Sequence, residues 1–197
     1  MITTIIFDLS DVYINGVVGV DKYIQKNISQ KISMKNIFIT EIDQLFRGEI
    51  SENLFWQAVI DKNKWNMQIS DLENAIRMNF KEIKGTKKII VKLRKKGYTL
   101  GLLSIHAREW VDYCNNIFGH HSLFDHISYS FESGIFKPKK KAYTELLKKL
   151  NVDPQECIFI DDKLENVEGA MKLGMLGIEF KNAIQLERDL KNRGIAI

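Results

Sequence analysis

Cysteine is almost absent from this chain: Cys114 and Cys157 are the only two in 197 residues. Both lie in apolar, element-like stretches without metal-ligand spacing, which excludes a disulfide framework and points to reduced, buried thiols in a cytoplasmic setting. Long apolar runs are missing as well. None approaches the roughly 20 residues of a membrane-spanning helix, and the opening MITTIIFDLSDV meets Asp8 too soon to be a signal peptide. The expectation is a cytoplasmic protein with no membrane partner. Charge of one sign is not concentrated either. The net charge of +4 comes from lysines spread over much of the chain, which supports solubility and argues against a nucleic-acid groove. There is no internal repeat, no low-complexity stretch and no flexible linker.

With 45% hydrophobic and 27% charged residues, the chain can bury one substantial core and carry a small second lobe. Thr3 to Leu9 is a β-branched, apolar run suited to a buried strand, and it stops at the polar pair Ser10-Asp11. From about Asp21 to Ile83 the spacing becomes helical, with Gly48 as a break, Ser51 as an N-cap and Ser70 with Glu73 as a capping box. A lysine-rich amphipathic helix carrying Ile89, Ile90 and Leu93 follows Gly85 and stops at Gly97. Tyr98 to Leu103, Ile127 to Phe131 and Glu156 to Ile160 then read as strands. Helical segments follow each of them: Ala107 to Phe118, Lys139 to Leu150 and Leu164 to Leu173. This alternation calls for an α/β fold, a Rossmann-like parallel sheet with helices on both faces and right-handed crossovers. The helical lobe reads as an insertion after the first strand, which divides the chain into a core of residues 1–14 and 85–197 and an all-helical cap of residues 15–84.

Ligands of open α/β sheets bind outside the carboxyl ends of the strands. Asp8, Ser104 and the pair Asp161-Asp162 all occupy such ends, and Lys137 stands in a loop before a helix. Carboxylates, a hydroxyl and an ammonium group from separate strand ends form a set suited to a phosphoryl group and a divalent cation.

These residues resemble the haloacid dehalogenase-like hydrolase superfamily. IIFDLSDV matches its nucleophile motif, LGLLS its hydroxyl motif, SGIFKP its lysine motif and IFIDDKLEN its acidic motif, in that order, and RGEISENLFW lies in a stretch similar to its small helical cap. The resemblance implies that Asp8 attacks phosphorus and that the resulting aspartyl-phosphate is hydrolysed by water. It implies magnesium (Mg2+) as cofactor, held by a carboxylate oxygen of Asp8, the backbone carbonyl of Ser10 and the carboxylate of Asp162, with Asp161 supporting that shell or orienting Lys137. Ser104 would hydrogen-bond a phosphoryl oxygen and Lys137 would neutralise charge there. The implied substrate is a small phosphorylated metabolite of the cytosol. Nothing in the sequence speaks to oligomeric state.

Two positions depart from the pattern. Ser10 stands where active phosphatases of the superfamily carry a second aspartate that protonates the leaving group, and a serine hydroxyl is no general acid near neutral pH. Asp11 would face away from Asp8 if strand geometry persisted. Ile105 follows Ser104 where related sequences often carry asparagine, and His106 is the group that could compensate. His120, His121 and His126 lack the spacing of a metal helix. Leu54, Phe55, Trp56 and Met67 read as core residues rather than a substrate box. Two other functions compete: a catalytically silent protein that keeps a phosphate and metal cradle, and a 2-haloacid dehalogenase, whose chemistry gives no reason for paired aspartates.

Overall fold

The computed structural model describes residues 1–28 and 33–197, with residues 26–28 as backbone only. Five parallel strands form one sheet in the order β3-β2-β1-β4-β5. They are β1 (Thr4–Phe7), β2 (Thr99–Ser104), β3 (His126–Tyr129), β4 (Cys157–Asp161) and β5 (Leu176–Glu179). β1 is central and pairs on both sides, Phe7 standing between Leu102 and Ile160. Its residues are buried on both faces, which is why it reads as a continuous apolar run rather than an alternating one.

Alternation along the strands decides what each face meets. Ile5, Phe7, Leu100, Leu102, Ile158 and Ile160 point to one face. There they pack with Ile89, Ile90 and Leu93 of α6 (Thr86–Lys95), Trp110, Val111 and Cys114 of α7 (Arg108–Phe118), and Leu186 and Leu190 of α11 (Ala183–Asn192). Ile6, Leu103, Cys157 and Phe159 point to the other, against Tyr143, Leu146 and Leu147 of α9 (Lys140–Leu150) and Ala170 of α10 (Leu164–Met171). Each fully buried Leu, Ile or Phe stabilises by about 1.5–3 kcal/mol, so both faces resist unfolding and the expected helices on both faces are present. Cys114 and Cys157 are buried free thiols, as expected.

Between β1 and α6 lie α1 (Val20–Ile28), α2 (Met34–Ile37), α3 (Glu41–Phe46), α4 (Glu52–Asn63) and α5 (Ile69–Asn79). The helical stretch expected here includes residues 29–32, which lie outside the described residues. Ser51 does cap α4, accepting from Leu54 N at 3.4 Å. α5 starts before the expected capping box: its N-cap is Gln68, whose N–H donates to Asp71, not Ser70 with Glu73. The outgoing and returning chains run side by side, Ile83 N donating to Tyr13 O at 2.8 Å and Asn15 N to Lys81 O at 2.9 Å. Glu52 is a buried carboxylate that gathers Trp56 Nε1 at 3.1 Å, Trp110 Nε1 at 2.8 Å and the two terminal Arg77 guanidinium nitrogens at 3.0 and 2.7 Å. Its charge is thereby paired and its oxygens satisfied, as burial of a carboxylate requires.

Strand bounds differ from expectation by one or two residues, and one strand is additional. β1 stops at Phe7 rather than Leu9, because Leu9 O accepts from Tyr13 N and Ile14 N and closes a turn. β3 ends at Tyr129 because Ser130 begins the short helix α8 (Ser130–Ser133). β5 was not expected at all; it is an edge strand of four residues with Leu176 exposed.

Candidate active site

Asp8 follows the last residue of β1, Ser104 ends β2 and Asp161 ends β4, so three adjacent strands deliver them to one edge of the sheet. Asp8 Oδ1 accepts from Leu9 N at 2.7 Å and lies 3.0 Å from Lys137 Nζ. Lys137 Nζ is also 2.6 Å from Asp161 Oδ2. Asp161 is the most heavily bonded of the set: Asn166 Nδ2 donates to both its oxygens at 3.0 and 3.1 Å, and Lys163 N to Oδ1 at 2.9 Å, near the start of α10. That last bond engages the backbone N–H of Lys163, the N-cap residue of α10.

The loop carrying Lys137 is held by α10. Tyr143 Oη donates to Asn166 O at 2.8 Å, and a Cβ at Gly169 would lie 2.8 Å from Pro138 Cβ and 2.9 Å from Tyr143 Oη. Only glycine permits this approach, and the approach fixes the ammonium between two carboxylates.

Electrostatics follow from burial. Burial pushes the Asp8 carboxyl up, Lys137 opposes the rise and Asp161 adds to it, leaving Asp8 well above the usual carboxylate range. Burial lowers the Lys137 ammonium, but Asp8 and Asp161 more than reverse this and hold it charged. Asp162 is pushed up to about 6, first by burial and then by the charges of Asp161 and Asp11. The Ser104 hydroxyl is buried and completes no hydrogen bond of good geometry among the described residues, although it stands close enough to help keep Asp8 ionised.

A cavity of about 180 Å3 opens over this edge, lined at its polar end by Asp8, Ser10, Asp11, Lys137, Asp162 and Asn166. Asp11 is there because strand geometry does not persist. Its backbone is left-handed, with φ of 56°, and its Oδ1 accepts from Gly16 N at 2.9 Å. The condition under which it would face away from Asp8, continued strand geometry, is therefore not met. Ile105 and His106 also line the cavity. His106 packs against Phe80 and Trp110, and burial lowers it to about 4, so it is a neutral imidazole near pH 7 and cannot act there as an acid. Phe55 and Trp56 are fully buried core residues, as expected, while Leu54 is exposed. The apolar lining comes instead from Val17, Val18, Phe38, Phe46 and Trp110, which spacing did not reveal.

Asp8, Asp161 and Asp162 offer carboxylate oxygens within 4.8 Å of one another, and they form the one metal-capable cluster among the described residues. His120 and His121 instead meet the Tyr129 hydroxyl at 3.1 and 3.0 Å, and His126 is exposed at the start of β3. Burial lowers His120 to about 3. A histidine neutral in the fold and chargeable when unfolded stabilises fully above its unfolded value of about 6.5, and that stability is lost as pH falls toward the folded value. His120 is expected to contribute a loss of about 1.4 kcal/mol per pH unit in that window. Urea midpoints at pH 7 and pH 5 check this, since His120→Gln should flatten the difference; an unchanged pH dependence would place the acid sensitivity elsewhere.

The geometry agrees with comparisons to known proteins. The model of the haloacid dehalogenase-like hydrolase family matches residues 5–178. The chain is 30% identical over 153 residues to flavin mononucleotide hydrolase 1 of Arabidopsis thaliana, covering 76% of this chain and 58% of that one. It is 29% identical over 119 residues to the glyceraldehyde 3-phosphate phosphatase of Pyrococcus furiosus, covering 59% and 49%. It thus spans about half the length of these curated relatives. Among solved structures, a family enzyme of Bacteroides thetaiotaomicron in complex with magnesium and inorganic phosphate superposes with a TM-score of 0.75 at 22% identity, covering 92% of this chain and 96% of that one. An L-2-haloacid dehalogenase of Xanthobacter autotrophicus superposes with a TM-score of 0.67 at 17% identity, covering 100% and 85%. Four motifs converging at the carboxyl edge of a parallel sheet, and a family match from β1 to β5, lead to one conclusion: the chain belongs to the haloacid dehalogenase-like hydrolase family.

Proposed function

We propose that this protein is a magnesium-dependent phosphomonoester hydrolase acting on a small phosphorylated metabolite, with residues 15–84 serving as a cap over a core of residues 1–14 and 85–197. The observation that carries the reading is the charge balance at the sheet edge. Asp8, Asp161 and Asp162 crowd together against one buried ammonium, Lys137. Burial raises Asp8 and Asp162, the neighbouring carboxylates add to the rise, and such a set suits a divalent cation with oxygen ligands. Asp8, Asp162 and the Ser10 carbonyl would hold magnesium, and Asp161, whose oxygens are both engaged, would position Lys137. The cation would offset phosphate charge beside the nucleophile.

The chain's own groups account for the rest. Asp8 Oδ1 is engaged by Leu9 and Lys137, which fixes the carboxylate and leaves Oδ2 as the freer oxygen. Its attack on phosphorus forms an acyl phosphate as the ester P–O bond breaks and the leaving oxygen departs with the bonding pair. Water then attacks phosphorus, releasing phosphate and regenerating Asp8. The buried Ser104 hydroxyl, lacking a full partner, is suited to donate to a phosphoryl oxygen, and Lys137 to neutralise another.

Magnesium-dependent release of phosphate from a chromogenic aryl ester tests the reading. Binding of phosphate and magnesium without any release would favour the silent cradle, the second reading that Ser10 keeps alive. The dehalogenase reading has less support, since metal-free displacement at carbon gives the Asp162 carboxylate no task. Magnesium is also expected to raise the melting temperature, on the order of 5 °C at a hundredfold excess over its dissociation constant. Asp162→Ala should remove most of that shift, and a shift of unchanged size would exclude Asp162 as a direct ligand.

A further inference from the structure

The cavity is divided chemically. Every ionised group that lines it stands at the sheet edge or on the loops beside it, while Val17 and Val18 of the turn before α1, Phe38 at the end of α2, Phe46 of α3 and Trp110 of α7 supply an apolar side. Ile105 continues this apolar surface down to the polar end.

Several of the polar atoms on this side are already engaged. Trp110 Nε1 donates to the buried Glu52 at 2.8 Å, so the indole gives the cavity only ring surface. The carbonyls of Gly16 and Val18 accept from Asn79 Nδ2 at 2.8 and 3.3 Å, and that of Val17 accepts from Val20 N at 3.3 Å. Gly16 N donates to Asp11. A substrate hydroxyl placed here would give up water for few side-chain partners, whereas hydrocarbon would be favoured. Phe38 and Val18 remain 46% and 69% exposed, leaving apolar surface in water that a ligand could cover. The volume of about 180 Å3 is below the roughly 300–1,000 Å3 of drug-sized ligand sites. It suits a phosphoryl group with a short hydrocarbon stem, and a longer chain would leave the cavity past its rim.

We infer that the phosphate ester taken by this site carries an apolar, hydrocarbon leaving group rather than a sugar, a polyol or a second phosphate. This rests on the phosphomonoester reading above and names its substrate class. Val17, Val18, Phe38, Phe46, Ile105 and Trp110 are the specificity-determining contacts, and discrimination comes from hydroxyls left with few partners as much as from hydrocarbon burial.

Phosphonates separate binding from turnover, because their P–C bond does not hydrolyse. Dissociation constants of methyl-, ethyl-, butyl- and hexylphosphonate for the wild-type protein with magnesium would be measured by calorimetry, beside 4-hydroxybutylphosphonate and inorganic phosphate. Affinity is expected to rise about three- to fourfold per methylene while the chain stays inside the rim, and to fall about tenfold on adding the terminal hydroxyl. Phe38→Gln should reduce the gain per methylene. Equal affinities along the series, or tighter binding of the hydroxylated compound, would overturn the inference while leaving the phosphate site standing. If neither methylphosphonate nor inorganic phosphate binds, both the inference and the phosphate reading fall.

Discussion

Asp8→Asn is expected to yield a folded protein whose phosphate release falls by on the order of 10^4-fold or more, as loss of a covalent nucleophile does elsewhere. The substitution keeps volume and shape, and an amide oxygen can still accept the Leu9 N–H that Asp8 Oδ1 accepts at 2.7 Å. It discharges a carboxylate that burial already holds above its usual range, so native stability should be kept or rise slightly. Lys137 would keep its 2.6 Å ion pair with Asp161 and so remain compensated. Release of nitrophenol from its phosphate ester by purified wild type and variant, with thermal melts of both, checks the prediction. Activity retained in the folded variant would remove Asp8 from the role of nucleophile.

Restoring a carboxylate with Ser10→Asp is expected to accelerate hydrolysis of an alkyl phosphate by about a hundredfold or more, the usual scale of general acid catalysis. Wild type should favour aryl and acyl phosphates, whose leaving groups depart without a proton, and the variant should help these less at the first step. The measurement is kcat/KM for one alkyl and one aryl phosphate in both proteins, with Asp8→Asn as blank. If wild type already handles the alkyl ester as well as the variant, another group supplies the proton. Asp11 is then the candidate, because its carboxylate lines the same cavity as Asp8. Asp11→Asn would decide, whereas His106 is unprotonated near pH 7 and already set aside.

The residues that carry charge at strand ends were legible in the sequence. Asp8, Ser104, Asp161 and Asp162 announce themselves because a polar residue closing an apolar run has few places to go in a parallel sheet, whereas Lys137 was read from the loop before a helix. What could not be read depends on the third dimension. The direction of Asp11 could not be read because it is set by a turn that closes on Leu9 O, a bond between residues without period. β5 escaped because Leu176 is exposed and only four residues pair, too few to show alternation. Asn166 stood inside a quoted motif, yet its role appears only when its amide is found on both oxygens of Asp161. Glu52 would pass for a surface residue in the first turn of a helix until Trp110, 58 positions away, donates to it.

Trp110 also makes the pocket optically visible. Its ring lines the cavity on one side and packs against Trp56 on the other, with centroids 6.2 Å apart, in a core with no exposure to water. Trp65 is the third and last tryptophan, and it lines no part of that cavity. Tryptophan emission from this protein is therefore divided between a packed indole pair, one member of which walls the pocket, and Trp65. Anything that fills the cavity alters the surroundings of the pair, so the chain carries its own reporter of occupancy without a label.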